Sequence, residues 1–243
     1  MRGKKIIAMI LAVVLCVCAM PAIARAYGKN GWERYEESWR YYKNGEIQYG
    51  WLYVGNKWYC APKNRGGKIL LYGYYEIDGK IYYFDEGGAM RTGWVHAKLP
   101  CEQSACGYIT GWTFHLPSGE AVKGWNKING KWYYFYDFDE DCKIPWMLDG
   151  WDKIDGKWYF FGGPDDGAMK TGWLSDWVYY GEGNVKPAWY YQLPSGESAI
   201  GWKKIGGTWY YFKPDYCGAM AESETLEIDG TSYTFASSGA WIK

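Results

Sequence analysis

The chain has 243 residues, with 27 Lys and Arg against 27 Asp and Glu. Arg2, Lys4, Lys5 and Arg25 all precede Tyr27, so beyond that point 27 − 4 = 23 basic residues face 27 acidic ones, a net of −4. This balance excludes capture of polyanions through a basic surface. The 17 Trp and 25 Tyr against only 8 Phe do not match an aliphatic core; they are rings chosen where one face is apolar and one edge is wet.

The first segment reads as a secretory signal. Arg2, Lys4 and Lys5 are followed by an apolar run from Ile6 to Ala19, and Ala24-Arg25-Ala26 is a small-x-small cleavage site. Cleavage after Ala26 is the expectation. It leaves residues 27–243 as the mature chain, exported, with Cys60, Cys101, Cys106, Cys142 and Cys217. Export permits disulfides. Cys101 and Cys106 are close enough to close a small loop, and the odd count leaves one thiol over. No C-x-x-C pair is present, which argues against zinc.

From Gly31-Trp32 onward the chain repeats itself. Degenerate copies open at Gly31-Trp32 and Gly50-Trp51. A divergent one runs from Gly73-Tyr74 to Gly93-Trp94. Clear ones run from Gly124-Trp125 to Phe135, from Gly150-Trp151 to Phe161 (followed by Gly167-Ala-Met-Lys-Thr-Gly-Trp173), and from Gly201-Trp202 to Phe212. A longer duplication relates 88–135 to 167–212, with Leu-Pro-Ser-Gly-Glu at 116–120 and 193–197, and both halves carry insertions, at 95–111 and 174–188. Starts about twenty to thirty residues apart fall in the range of stacked repeat architectures.

The turns can be derived. Asp78-Gly79, Asn129-Gly130, Asp155-Gly156, Gly206-Gly207 and Asp229-Gly230 each separate two short β-prone runs, the signature of a two-residue type I′ hairpin. With Asn129-Gly130 as the turn, Ile128 pairs with Lys131, Lys127 with Trp132, Asn126 with Tyr133 and Trp125 with Tyr134. Paired residues share a face. Trp125, Lys127, Trp132 and Tyr134 therefore point forward, and Ile128, Tyr133 and Phe135 point back. A lone hairpin is unstable in water, so the expected fold is all-β, a solenoid of about eight stacked, aromatic-rich β-hairpin repeats.

Between consecutive hairpins two forward Trp meet one backward Tyr. Three ring walls of negative potential suit a quaternary ammonium, bulky and weakly hydrated. The pattern Gly-Trp-x-x-x-x-Gly-x-Trp-Tyr-Tyr-Phe followed by Gly-x-Met-x-Thr-Gly-Trp resembles the choline-binding, or cell-wall-binding, repeat family across nearly all of residues 27–243. That family includes the anchoring domains of pneumococcal autolysins; related repeats in glucosyltransferases bind glucan, and those of clostridial toxins bind host glycans.

The resemblance implies choline held on two Trp of one repeat and a Tyr of the next. Here the sets would be Trp125, Trp132 and Tyr159; Trp151, Trp158 and Tyr190; Trp202, Trp209 and Tyr233; and Trp51, Trp58 and Tyr82. Trp32, Trp39 and Tyr59 match more loosely. Tyr74 and Ile81 replace both Trp in one repeat, which should lose that site. The insertions after Trp94 and Trp173 shift the expected partners Trp112 and Trp189. Ser232 stands where a Trp is expected, as in a terminal cap.

The remaining candidates are weaker. His96 and His115 sit in no nucleophile or metal constellation. Asp137, Asp139, Glu140 and Asp141, and also Asp165 and Asp166, lack the spacing of a calcium loop and read as solvated turns. Leu116-Pro117-Ser118-Gly119 reads as a turn rather than a sorting signal. The expected function is a secreted, non-enzymatic, cofactor-free protein of the cell wall or surface, bound to choline residues of teichoic acids. Glycan binding by the same aromatics, or a scaffold in which every ring is core, are the alternatives.

Overall fold

The computed structural model describes residues 28–100, 108–137, 144–179 and 185–242. The signal segment, the Cys101–Cys106 loop and Cys142 lie outside the described residues. Among those residues the structure is strands and turns, with two single 3-10 turns at Lys63–Arg65 and Pro214–Tyr216. No helix among them is long and apolar enough to cross a membrane.

The described strands form nine separate sheets, each built on one hairpin. Hairpins one to three pair Gly31–Tyr35 with Ser38–Lys43, Gly50–Val54 with Lys57–Ala61, and Gly73–Ile77 with Lys80–Phe84. The fourth consists of Gly93–Pro100 and Tyr108–His115. The fifth pairs Gly124–Ile128 with Lys131–Asp137, the sixth Gly150–Ile154 with Lys157–Phe161, and the seventh Gly172–Tyr179 with Val185–Gln192. The last two pair Gly201–Ile205 with Thr208–Lys213 and Glu224–Ile228 with Thr231–Phe235. The described parts of the insertions at 95–111 and 174–188 continue the strands of these hairpins. They lengthen the fourth and seventh hairpins, whose strands reach eight residues.

The register of the fifth hairpin is the one derived from its turn, from Ile128 opposite Lys131 to Trp125 opposite Tyr134. Asn129 and Gly130 have φ of 49° and 82°, the left-handed pair that a type I′ turn demands. Ile128, Tyr133 and Phe135 on the rear face are buried, and Lys127 and Trp132 on the forward face are exposed.

Two compact units result. One ends at Val95 and takes in His115–Ala121; the other comprises His96–Phe114 and Val122–Lys243. Within each, the same backbone link joins neighbours: the segment following a hairpin returns to the second strand of the hairpin before it. In the first unit Ile69 N donates to Trp39 O (3.0 Å), Met90 N to Trp58 O (2.8 Å) and Ala121 N to Ile81 O (2.8 Å). In the second, Met169 N donates to Trp132 O (2.8 Å) and Ser198 N to Trp158 O (2.7 Å).

The core is a series of small clusters. Phe84, Phe135, Phe161 and Phe212 close their second strands opposite an opening Gly and are completely buried, with Phe235 nearly so. Each such ring contributes about 2–3 kcal/mol on leaving water. In the first unit Phe84 packs with Cys60 and Leu70. Burial raises the Cys60 thiol to about 11, so it is an apolar filler rather than a nucleophile.

The Met of the linking segment supplies the last layer. In the first unit Gly119, at φ +90°, lies against the Met90 thioether, where an added Cβ would overlap the sulfur; Gly196 over Met169 and Gly239 over Met220 repeat this in the second. Gly119→Ala combines that overlap with left-handed strain and should cost about 2 kcal/mol or more, read as a lowered melting temperature. Gly163→Ala, with open space and no left-handed φ, should leave the melting temperature within a degree or two.

Beside Gly119, His115 is 1% exposed and its Nδ1 donates to the Gly119 carbonyl at 2.9 Å. Desolvation holds the imidazole below its ordinary pKa, outweighing that bond. The folded state therefore prefers neutral His115, and its stability contribution, complete above about pH 6.5, is lost as pH falls below that value toward the depressed one. Gln192 takes the matching place in the second copy, buried and bonded to Ser198. His115→Gln should flatten the fall in melting temperature between pH 7 and pH 5; an unchanged slope would remove His115 as its source.

Candidate functional site: aromatic corners between hairpins

Three of the expected ring sets share one geometry. In the first unit the Trp51 and Trp58 centroids are 6.5 Å apart at 84°, and Trp51 lies 4.9 Å from Tyr82 at 61°. In the second, Trp125 and Trp132 are 6.5 Å apart at 86°, with Trp125 4.9 Å from Tyr159 at 65°. Trp202 and Trp209 are 6.4 Å apart at 82°, with Trp202 4.9 Å from Tyr233 at 70°. Two Trp thus meet at a right angle, and a Tyr of the next hairpin closes the corner.

The two Trp of a corner have different surroundings. The first packs against the next closing Phe: Trp51, still 36% exposed, on Phe84 at 6.0 Å, Trp125 on Phe161 at 5.8 Å, Trp202 on Phe235 at 5.6 Å. The second stands in water, with Trp58, Trp132 and Trp209 each more than 40% exposed. Desolvation raises the phenol pKa of Tyr82 and Tyr159, which keeps these walls neutral. An ion pair borders the Tyr in both units, Lys80–Glu120 beside Tyr82 and Lys157–Glu197 beside Tyr159, each at 2.5 Å.

The set Trp151, Trp158 and Tyr190 is different. Trp151 meets Tyr190 at 4.6 Å, but Tyr190 is only 2% exposed, in a cluster with Ala188 and Ala219. Trp151 Nε1 donates to Asp176 Oδ2 at 2.7 Å, and Trp158 is less exposed than its counterparts. Lengthening the seventh hairpin brings Ala188 and Asp176 over this space. In the loose first set Trp32 lies 4.7 Å from Tyr59, with Trp39 at the surface. At the third hairpin Ile81 is buried and His115 stacks on Tyr74 at 6.0 Å, so core side chains take the corner.

The sequence named Trp189 as the displaced partner of Trp173 without placing it, and it gave no sign of Trp241. Trp173 lies 5.1 Å from Tyr210 at 70° and 6.0 Å from Phe212, and Trp189 stands on the same face with 46% exposure. The insertion breaks the usual spacing of 125 to 132, yet Trp173 pairs with Tyr191, leaving Trp189 two residues before that partner as Trp132 is before Tyr134. Counting back from the closing Tyr-Tyr rather than forward from the first Trp would have placed it. Trp241 lies 5.8 Å from both Trp202 and Tyr233, a fourth ring at the last corner.

Other candidates stay apart from these corners. His96 sits 4.8 Å from Trp112. Asp165 accepts from Trp112 Nε1, and Asp166 pairs with Lys170 and Lys131. Glu140 and its acidic neighbours at 139 and 141 lie outside the described residues.

Segments 73–90, 123–139 and 200–215 match the family described as "Putative cell wall binding repeat". No curated protein matches the chain. Among solved structures, the choline-binding domain of CbpL from Streptococcus pneumoniae is 23% identical, over 88% of this chain and 98% of that one, with a TM-score of 0.50. Choline-binding protein F of the same organism is 23% identical over 88% and 94%, TM-score 0.43. The modular autolysin LytC, also pneumococcal, is 23% identical over 88% and 46%, TM-score 0.48. At this identity the likeness to CbpL speaks for the fold.

The split between packed and exposed Trp has a measurable consequence. Trp125→Ala removes a ring packed on Phe161 and Tyr159 and should cost about 3–5 kcal/mol, seen as a large drop in melting temperature. Trp132→Ala removes an exposed ring and should cost less than about 1 kcal/mol.

Proposed function

We propose that this chain, which carries cell wall binding repeats of the choline-binding family, is exported and attaches without covalent bonds to choline-bearing polymers of the cell wall, teichoic acids above all. The observation that carries the reading is the congruence of three open corners, Trp51–Trp58–Tyr82, Trp125–Trp132–Tyr159 and Trp202–Trp209–Tyr233. The second Trp of each corner keeps more than 40% of its surface in water, which packing alone does not require.

The mechanism is physical rather than chemical. A trimethylammonium group is a diffuse, permanent charge with little hydration to lose. Three neutral ring walls at right angles offer it their negative faces, about 2 kcal/mol or more once water is displaced. Each corner alone is a weak site. Several along one chain, meeting a polymer that repeats its choline, give avidity through effective concentration. The mild acidity left after removal of the signal does not oppose this, because recognition goes through the cation and not the phosphates. On this reading the protein binds and catalyses nothing.

One observation favours a second reading. The forward face of the seventh hairpin carries Trp173, Trp177 and Trp189, with Trp177 65% exposed opposite Pro187. A row of open rings on a ribbon suits stacking on sugars, so the repeats could engage glycan directly.

The test is a titration with choline, tetramethylammonium and a neutral sugar in parallel, followed by tryptophan fluorescence and melting temperature. Saturable responses to both cations are expected, with Trp132→Ala lowering the number of sites while the protein stays folded. Silence toward both cations with a response to sugar would replace the choline reading with the glycan one; silence toward all three would leave the rings as core and surface only.

A further inference from the structure

The residue paired directly with the second Trp is not the same at every corner. It is Tyr53 opposite Trp58, Lys127 opposite Trp132, Ser175 opposite Trp189 and Lys204 opposite Trp209. Direct partners share a face, so this side chain stands at the mouth of the corner.

Two corners allow a controlled comparison, one in each unit. Trp51–Trp58–Tyr82 and Trp125–Trp132–Tyr159 have the same ring separations, 6.5 and 4.9 Å, and the same bordering Lys–Glu pair. They differ at the mouth. Tyr53 lies 5.0 Å from Trp58 with its ring tilted 45°, and is 59% exposed. Lys127 instead places Nζ 5.9 Å from the Trp132 centroid, within cation–π range. A protein ammonium already attends the ring that an incoming cation would use, and it repels that cation as well.

We propose that the side chain opposite the second Trp sets the cation affinity of each corner: Tyr53 adds a fourth wall and makes Trp51–Trp58–Tyr82 the tight site, and Lys127 makes Trp125–Trp132–Tyr159 a self-competing, weaker one. This rests on the reading of the corners as quaternary-ammonium sites. It makes the repeats unequal by design of their mouths, though their walls are alike. Because added salt screens like-charge repulsion, the Lys127 corner also gains on the Tyr53 corner as ionic strength rises.

The experiment is a tetramethylammonium titration of the whole protein, following the indole N–H resonances of Trp58 and Trp132 assigned through Trp58→Phe and Trp132→Phe. The Trp58 signal should saturate at roughly fivefold lower concentration than the Trp132 signal. Tyr53→Lys should raise its midpoint severalfold, and Lys127→Tyr should lower that of Trp132. Both sites are exposed, and a melting curve for each variant verifies folding. Midpoints that stay within twofold through both exchanges overturn the mouth proposal and leave the corners as binding sites. If neither indole responds in the native protein, the quaternary-ammonium reading itself fails, and the mouth proposal with it.

Discussion

A two-stranded hairpin in water has an apolar face it cannot cover alone, and in this chain the cover comes from the next hairpin along. The backbone link that secures it runs from the segment after one hairpin to the second strand of the hairpin before, as in Met90 N to Trp58 O and Met169 N to Trp132 O. This bond fixes how far apart successive hairpins lie. The packed Trp can then reach the next Tyr at 4.9 Å and the next Phe near 6 Å in both units. The core becomes a run of local clusters rather than one central mass, as expected of repeat proteins.

Stacking and binding draw on the same rings. The first Trp of each corner is held by packing, and its position would be occupied in any stable stack. The second Trp is the free variable. It stands exposed at Trp58, Trp132, Trp189 and Trp209, where the fold gains little from it. Where the neighbouring hairpin lengthens, the balance changes: Tyr190 goes into the core with Ala188, and Asp176 accepts a hydrogen bond from the Trp151 indole N–H. One motif thus yields open corners in some places and filled ones in others.

The internal duplication shows the same economy. His115 and Gln192 occupy matching buried places at the start of the Leu-Pro-Ser-Gly turn. Both satisfy a polar group inside the fold, His115 through the Gly119 carbonyl and Gln192 through Ser198. Only the histidine brings a titration into the range near neutrality. The first unit therefore carries a pH sensitivity that this position in its counterpart lacks.

The hairpins, their turns and their register were legible in the sequence, because a two-residue turn and strict alternation are local constraints. Asn129-Gly130 dictates which residue faces which, and Trp125 to Phe135 follow without further information. That Trp51–Trp58–Tyr82, Trp125–Trp132–Tyr159 and Trp202–Trp209–Tyr233 come together was legible for the same reason, since the two Trp of each hairpin keep the same spacing. Tertiary structure decided what depends on the neighbour: that Tyr190 is buried, that Trp189 shares a face with Trp173 in spite of an insertion, that Trp241 returns to Trp202, and that the described residues form nine hairpins where about eight were expected. Alternation tells which face a ring is on. Whether that face meets water or another hairpin is settled by how long the next hairpin is and where its backbone docks.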